Sequence, residues 1–116
     1  MAYDVVDATF VLDNLGKMPI IDVRPHSMYE KSRIPGARSV EMMAAKEVGG
    51  DIAQEMARRA AAVGVMPDDE AIVYCQNGKL AHEASDYLDA AGYGNLHCYE
   101  GSFGDWITDP SRPLEE

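Results

Sequence analysis

Two short runs of apolar residues, Pro19-Ile20-Ile21-Asp22-Val23 and Ala71-Ile72-Val73-Tyr74-Cys75, set the tightest limit on how this chain folds. Each is too short for a helix and reads as a buried strand of a parallel sheet. Asp4-Val5-Val6 and Asn95 to Tyr99 are further strand candidates, and Ser39-Val40, after Pro35-Gly36, opens another. Amphipathic stretches alternate with these runs. Asp7 is placed to cap a helix from Ala8 to Leu15 that stops at Gly16. Ile52, Met56, Ala60 and Val63 form one face of a helix over Asp51 to Val63, closed by Gly64. Ala81, Ala84, Leu88 and Ala91 give a second face, followed by Gly92, and Phe103 to Ile107 a last helical turn. Strand–helix alternation predicts an α/β domain with a small, mainly parallel sheet and helices on both faces. Such sheets bind ligands beyond the carboxyl ends of their strands, here after Val23 and after Tyr74.

With 116 residues, the chain has room for one domain, assigned to residues 1–108. Residues 109–116, with two prolines and two terminal glutamates, read as a loosely held tail. Ten Lys and Arg against twenty Asp and Glu give a formal net charge of −10. A surface this acidic repels nucleic-acid phosphates and anionic lipid headgroups, which argues against both as partners. No apolar run reaches the length of a membrane span. The first ten residues, MAYDVVDATF, lack the basic and apolar regions of a secretory signal. The reducing cytoplasm is the default expectation, and there Cys75 and Cys98 are expected to be thiols. Two cysteines and three histidines, without ligand spacing, imply neither a metal nor a cofactor.

Cys75 ends a buried strand, and the loop Gln76-Asn77-Gly78-Lys79-Leu80 leads from it into a helix beginning near Ala81. A loop curling into a helix N-terminus turns several backbone N–H groups toward its centre, and Gly78 allows that curl. The helix dipole and Lys79 add positive potential, and a thiol in such a nest ionises more readily than a free one. The thiolate is a nucleophile, and the nest also suits an anionic persulfide. A small apolar residue filling a strand end is an equally consistent reading of Cys75 from these residues alone.

The remaining motifs tip that balance. Ile21-Asp22-Val23-Arg24, Tyr29-Glu30 and Arg33-Ile34-Pro35-Gly36-Ala37 resemble the N-terminal signature of the rhodanese family of sulfurtransferase domains. Cys75-Gln76-Asn77-Gly78 is similar to the start of its active-site loop. Gly92-Tyr93, Asn95-Leu96, Glu100-Gly101 and Trp106 resemble its closing pattern. The resemblance implies a single-domain sulfurtransferase in which Cys75 attacks the outer sulfur of a donor, such as thiosulfate or a persulfide-bearing protein. The Cys75 persulfide then passes that sulfur to a thiol or cyanide. Gln76, Asn77, Gly78, Lys79 and Leu80 would cradle the cargo, and Asp22 and Arg24 would support the loop region. A loop of six residues from Cys75 to Leu80 has the family's length for sulfur. Related phosphatases use a loop one residue longer, and this loop also lacks Arg.

The chain departs from the family pattern at several places. Leu80 stands where many single-domain members have Arg, and Gln76 and Asn77 stand where thiosulfate users often carry basic residues. Arg33 replaces the usual His, and Ser102 replaces the second Gly of a Gly-Gly. Arg24, Lys31, Arg33, Arg38 and Lys46 face only two acids within residues 24–46, so a basic rim that includes Arg33 is expected to draw in an anionic donor. Solvated charges, or structural pairs such as Arg24 with Glu30, are the competing expectation. Asp22, in an apolar run, needs a partner. His82 reads as an exposed helix-face residue, His26 as a loop residue, Cys98 as core filling and Trp106 as a packing anchor. A rhodanese-fold binding or redox-regulatory module with little turnover is the alternative function.

Overall fold

The computed structural model describes residues 3–116. Five strands, β1 (Tyr3–Val6), β2 (Ile20–Asp22), β3 (Ala37–Ser39), β4 (Ala71–Tyr74) and β5 (Leu96–Tyr99), form one sheet in the order β1-β5-β4-β2-β3. Every pairing is parallel, and β4 lies at the centre, with Val73 opposite both Ile21 of β2 and Cys98 of β5. Five helices connect the strands, α1 (Ala8–Asp13), α2 (His26–Lys31), α3 (Met42–Val48), α4 (Ile52–Ala62) and α5 (Lys79–Ala90), and α6 (Ser102–Trp106) follows β5.

Side chains alternate across the central strands, and each face has its own core. Ile21, Val23, Val73 and Cys75 pack with α3, α4 and α5 through Met42, Met56, Ala60, Ala84 and Leu88. Ile20, Ile72 and Tyr74 pack on the opposite face with α1 and α6 through Val11, Phe103 and Trp106. Burial on both faces is why these runs are apolar without a break. The architecture is the α/β sheet with helices on both faces expected from the strand–helix alternation.

Two helices escape the sequence patterns. In α2 no residue is buried and the N-cap, Pro25, makes no side-chain hydrogen bond, so the segment carries neither an apolar stripe nor a start signal. His26 therefore lies in a helix, not a loop. In α3 only Met42 and Ala45 are buried, and Glu41 provides no side-chain cap. By contrast, Asp51 accepts a hydrogen bond from the Gln54 N–H and starts α4 as its sequence signals. Helix α5 begins at Lys79, two residues before the expected Ala81.

The C-terminal residues are docked rather than loosely held. Arg33 and Glu115 exchange backbone hydrogen bonds, both of 2.9 Å. The Glu115 carboxylate accepts from the Gly36 N–H at 2.8 Å and from the Arg33 guanidinium at 2.9 Å. Trp106 is fully buried and donates its indole N–H to Pro113 O at 2.8 Å, which anchors the turn before the tail. The Gly36 N–H first, and Arg33 second, hold the Glu115 carboxyl below the usual glutamate range. A carboxyl depressed in the folded state stabilises fully above its unfolded value, and this contribution is lost as pH falls through the folded value. The Gly36 amide resonance is thus expected to titrate with a midpoint below that of a free glutamate, and not at all in Glu115→Gln. A midpoint at the ordinary glutamate value would contradict this docking.

Candidate active site

The central strand β4 delivers Cys75 to the carboxyl edge of the sheet, where it is 1% exposed. Its sulfur is the focus of the following loop. The backbone N–H groups of Gly78 and Ala81 donate to Cys75 Sγ at 3.1 and 3.2 Å. Both point from the start of α5, so the positive end of a twelve-residue helix faces the same sulfur. The loop is fixed from the other side by α6. The Phe103 N–H donates to Cys75 O at 2.9 Å, the Gly104 N–H to Gln76 O at 2.8 Å, and the Cys75 N–H to Ser102 Oγ at 3.0 Å.

Gly78 makes this curl possible. Its φ is +95°, in the left-handed region, and an added Cβ would lie 2.0 Å from Glu100 O. Backbone cannot retreat as a flexible side chain can, so Gly78→Ala combines conformational strain with a clash. It is expected to destabilise the chain by roughly 3 kcal/mol and to disorder the cradle. A urea denaturation series checks this, and a loss below about 1 kcal/mol would show that the loop has another accessible conformation.

The other loop residues take different positions. Gln76 is exposed and lines an open cleft of about 250 Å³ with Arg24, Met28, Lys31, Ser32 and Phe103. Asn77 Oδ1 accepts from the Lys79 N–H at 3.2 Å, which closes the first turn of α5. Lys79 is exposed and forms no ion pair among the described residues, whereas the Leu80 side chain packs against the hydrophobic core.

Behind the loop lies a buried polar cluster. Asp22 is 0% exposed and Arg24 2% exposed. Asp22 accepts from the Arg24 backbone N–H at 2.9 Å, from its guanidinium at 2.8 Å and from the Tyr74 hydroxyl at 2.6 Å. Arg24 also donates to Ser32 O at 2.7 Å, and its guanidinium lies 4.1 Å from the centre of the Phe103 ring. Burial first, and Asp22 second, push the Tyr74 hydroxyl up, so it remains a donor. The cluster joins the end of β2 to Tyr74, next to Cys75, and to Phe103, which holds the Cys75 carbonyl.

The expected basic rim is largely neutralised internally. Arg24 is paired with Asp22, Lys46 with Glu83 at 2.6 Å, and Arg33 with Glu115. Arg33 also donates to Tyr29 O and covers the Tyr29 ring, so its donors serve the tail and α2 rather than the sulfur loop. Arg38 donates to Val63 O. Lys31 in the cleft, Lys79 in the loop and Arg38 form no ion pair among the described residues, and of these Lys31 lines the cleft beside Gln76 and Lys79 lies on the loop. The competing expectation of internal pairing therefore holds for Arg24, Arg33 and Lys46, with Asp22 rather than Glu30 as the partner of Arg24.

His82 is half-buried rather than a free helix-face residue. Its ring lies between the Tyr3 hydroxyl, 3.1 Å from Nδ1, and Glu100 Oε2, 2.8 Å from Nε2, and makes no hydrogen bond to Cys75. Cys98 is buried on β5, and burial pushes its thiol up to about 11, so it stays protonated near neutrality. Among the described residues, no group of three or more His, Cys, Asp or Glu is placed to hold a metal ion. Sequence reasoning missed the Ser102 contact with the Cys75 amide, and its only sign was the substitution of the second Gly after Glu100.

A parallel α/β sheet with a cysteine-centred loop opening onto a helix defines the class. The rhodanese-like domain family matches residues 7–109, and the chain belongs to that family. Over 84 residues it is 32% identical to the thiosulfate sulfurtransferase of Azotobacter vinelandii, a match covering 71% of this chain and 31% of that protein. Over 99 residues it is 29% identical to the thiosulfate:glutathione sulfurtransferase of Saccharomyces cerevisiae, covering 83% of this chain and 69% of that one. The chain thus spans about a third of the bacterial relative's length. The fold is also similar to that of the human single-domain sulfurtransferase, with a TM-score of 0.70 at 21% identity, covering 90% of this chain and 96% of that one.

Proposed function

We propose that this protein is a rhodanese-type sulfurtransferase working through a Cys75 persulfide. The observation that carries the proposal is the pair of backbone N–H groups, from Gly78 and Ala81, directed at Cys75 Sγ. Fixed donors aimed at a sulfur stabilise its anion, and peptide dipoles need no reorganisation when charge shifts to an added sulfur atom. With thiosulfate, the thiolate attacks the outer sulfur, the S–S bond breaks and sulfite leaves with its electron pair. Cys75 then holds the sulfur as a perthiolate. A thiolate or cyanide acceptor attacks that outer sulfur, takes it as a persulfide or thiocyanate, and releases the Cys75 thiolate. The cycle is balanced without a redox cofactor.

Gln76 at the cleft and Lys79 on the loop are the side chains we assign to substrate binding, with the loop amides as the cradle. Asp22 and Arg24 hold the loop from behind. Only Lys31 and Lys79 offer unpaired positive charge near it, a weak match for a free dianion. This favours a persulfide-bearing protein or small molecule over thiosulfate as the donor in the cell. We set the reaction in the reducing cytoplasm, where Cys75 stays out of disulfides between turnovers. No helix among the described residues is long and apolar enough to cross a membrane.

The scarcity of free cations also suits a regulatory module that keeps the fold without turnover. One assay separates the two. Thiosulfate followed by cyanide is expected to give thiocyanate, slowly, and a persulfide donor to give faster transfer. No transfer from either donor, in a folded protein, would favour the module.

A further inference from the structure

Ser102 occupies a position whose backbone is suited to glycine. Its φ is +59°, and it is the single non-glycine residue with positive φ among the described residues. A serine retained there, fully buried, has its hydroxyl at the reacting atom rather than in solvent. Ser102 Oγ accepts the Cys75 N–H at 3.0 Å and lies 2.9 Å from Tyr99 O and 3.8 Å from Cys75 Sγ. The hydroxyl has one proton and two acceptors for it, the carbonyl and the sulfur. With Cys75 neutral, the shorter contact to Tyr99 O takes the proton. A sulfur anion is a stronger acceptor than a peptide carbonyl and shortens its hydrogen bonds.

We propose that Ser102 is a positioning residue with a switchable proton: its hydroxyl turns from Tyr99 O to Cys75 Sγ when the sulfur becomes anionic, adding a third donor to those of Gly78 and Ala81. The inference rests on the persulfide reading and deepens it. The backbone amides supply constant stabilisation, whereas the hydroxyl responds to charge. It stabilises the thiolate before attack and relaxes when the charge moves to the outer sulfur, so its effect is on the fraction of Cys75 that is ionised rather than on the barrier to attack. Lys79 on the loop, Glu100 beside Gly78, Cys98 on β5 and Arg24 beneath Phe103 also bear on this region, and none is changed by the substitutions below.

The test is the pH dependence of alkylation of the Cys75 peptide, followed by mass spectrometry in wild type, Ser102→Ala and Ser102→Gly. Both variants remove the hydroxyl, but only the glycine relieves the left-handed backbone. The alkylation midpoint is expected to rise by about one pH unit in both, the effect of losing one charge-assisted hydrogen bond. A purely structural role would change thermal stability, differently in the two variants, and leave both midpoints at the wild-type value, which would overturn the proposal. In wild type alone, the Tyr99 carbonyl carbon resonance is expected to shift as pH is raised through the alkylation midpoint, and an unchanged resonance would also overturn it. Failure of wild-type Cys75 to take up sulfur would instead refute the persulfide reading, whatever the midpoints.

Discussion

Replacing Cys75 by serine is expected to lower sulfur transfer to cyanide by roughly a thousandfold or more, because a covalent carrier has no substitute in the site. The hydroxyl is smaller than the thiol and can accept from the Gly78 and Ala81 N–H groups, so the fold is expected to survive. It fails as a carrier for two reasons. A serine hydroxyl hardly ionises near neutrality, and an oxygen–sulfur bond does not relay sulfane sulfur. Initial rates of thiocyanate formation, compared at equal thermal stability, check the prediction. Cys98 offers no bypass, since it lies behind the loop on β5 with its thiol pushed up to about 11. Residual activity above about a tenth of wild type would place the carrier elsewhere.

The second large effect is on stability. Asp22→Asn keeps the shape of the side chain but leaves the Arg24 guanidinium, 2% exposed, without a counter-charge. Removing one partner of a buried ion pair typically costs about 3–5 kcal/mol, because the other charge stays desolvated. The amide NH2 would also face the donors of Arg24 or the hydroxyl of Tyr74. Chemical denaturation is expected to show a loss in that range. Double replacement of Asp22 and Arg24 by apolar residues should recover part of it, since no lone charge then remains. A loss within about 1 kcal/mol for Asp22→Asn would mean that water reaches the guanidinium. Sulfur transfer should fall further than stability alone requires, because the cluster also orients Tyr74 and Phe103 around Cys75.

These sites differ in how far the sequence reveals them. The central strands were legible because both faces of β2 and β4 are covered, which demands unbroken apolar runs. The cysteine loop was legible because strand, glycine and helix follow one another within a few residues. Asp22 was legible as a buried acid needing a partner, but Tyr74, 52 positions away, could not be singled out. The pairing of Arg33 with Glu115, 82 positions apart, is likewise a product of the fold. Local charge counts therefore suggested a basic rim, although long-range pairing removes much of it. Helices α2 and α3 were missed because neither presents a buried stripe or a side-chain cap, and they depend on packing around β2 and β3. Ser102 is the reverse case: a visible departure from a glycine pattern whose meaning needed the proximity of β5, α6 and the cysteine loop.

The proposed function requires the dipoles around Cys75 to hold its sulfur, and then a second sulfur, as an anion. The most direct measurement is the intact mass of the protein after exposure to a sulfur donor and removal of the excess. One added sulfur atom, located on the Cys75 peptide and lost on adding cyanide, is the predicted result. An unchanged mass with thiosulfate and with small persulfide donors, in a chain whose fold is intact, would contradict the account.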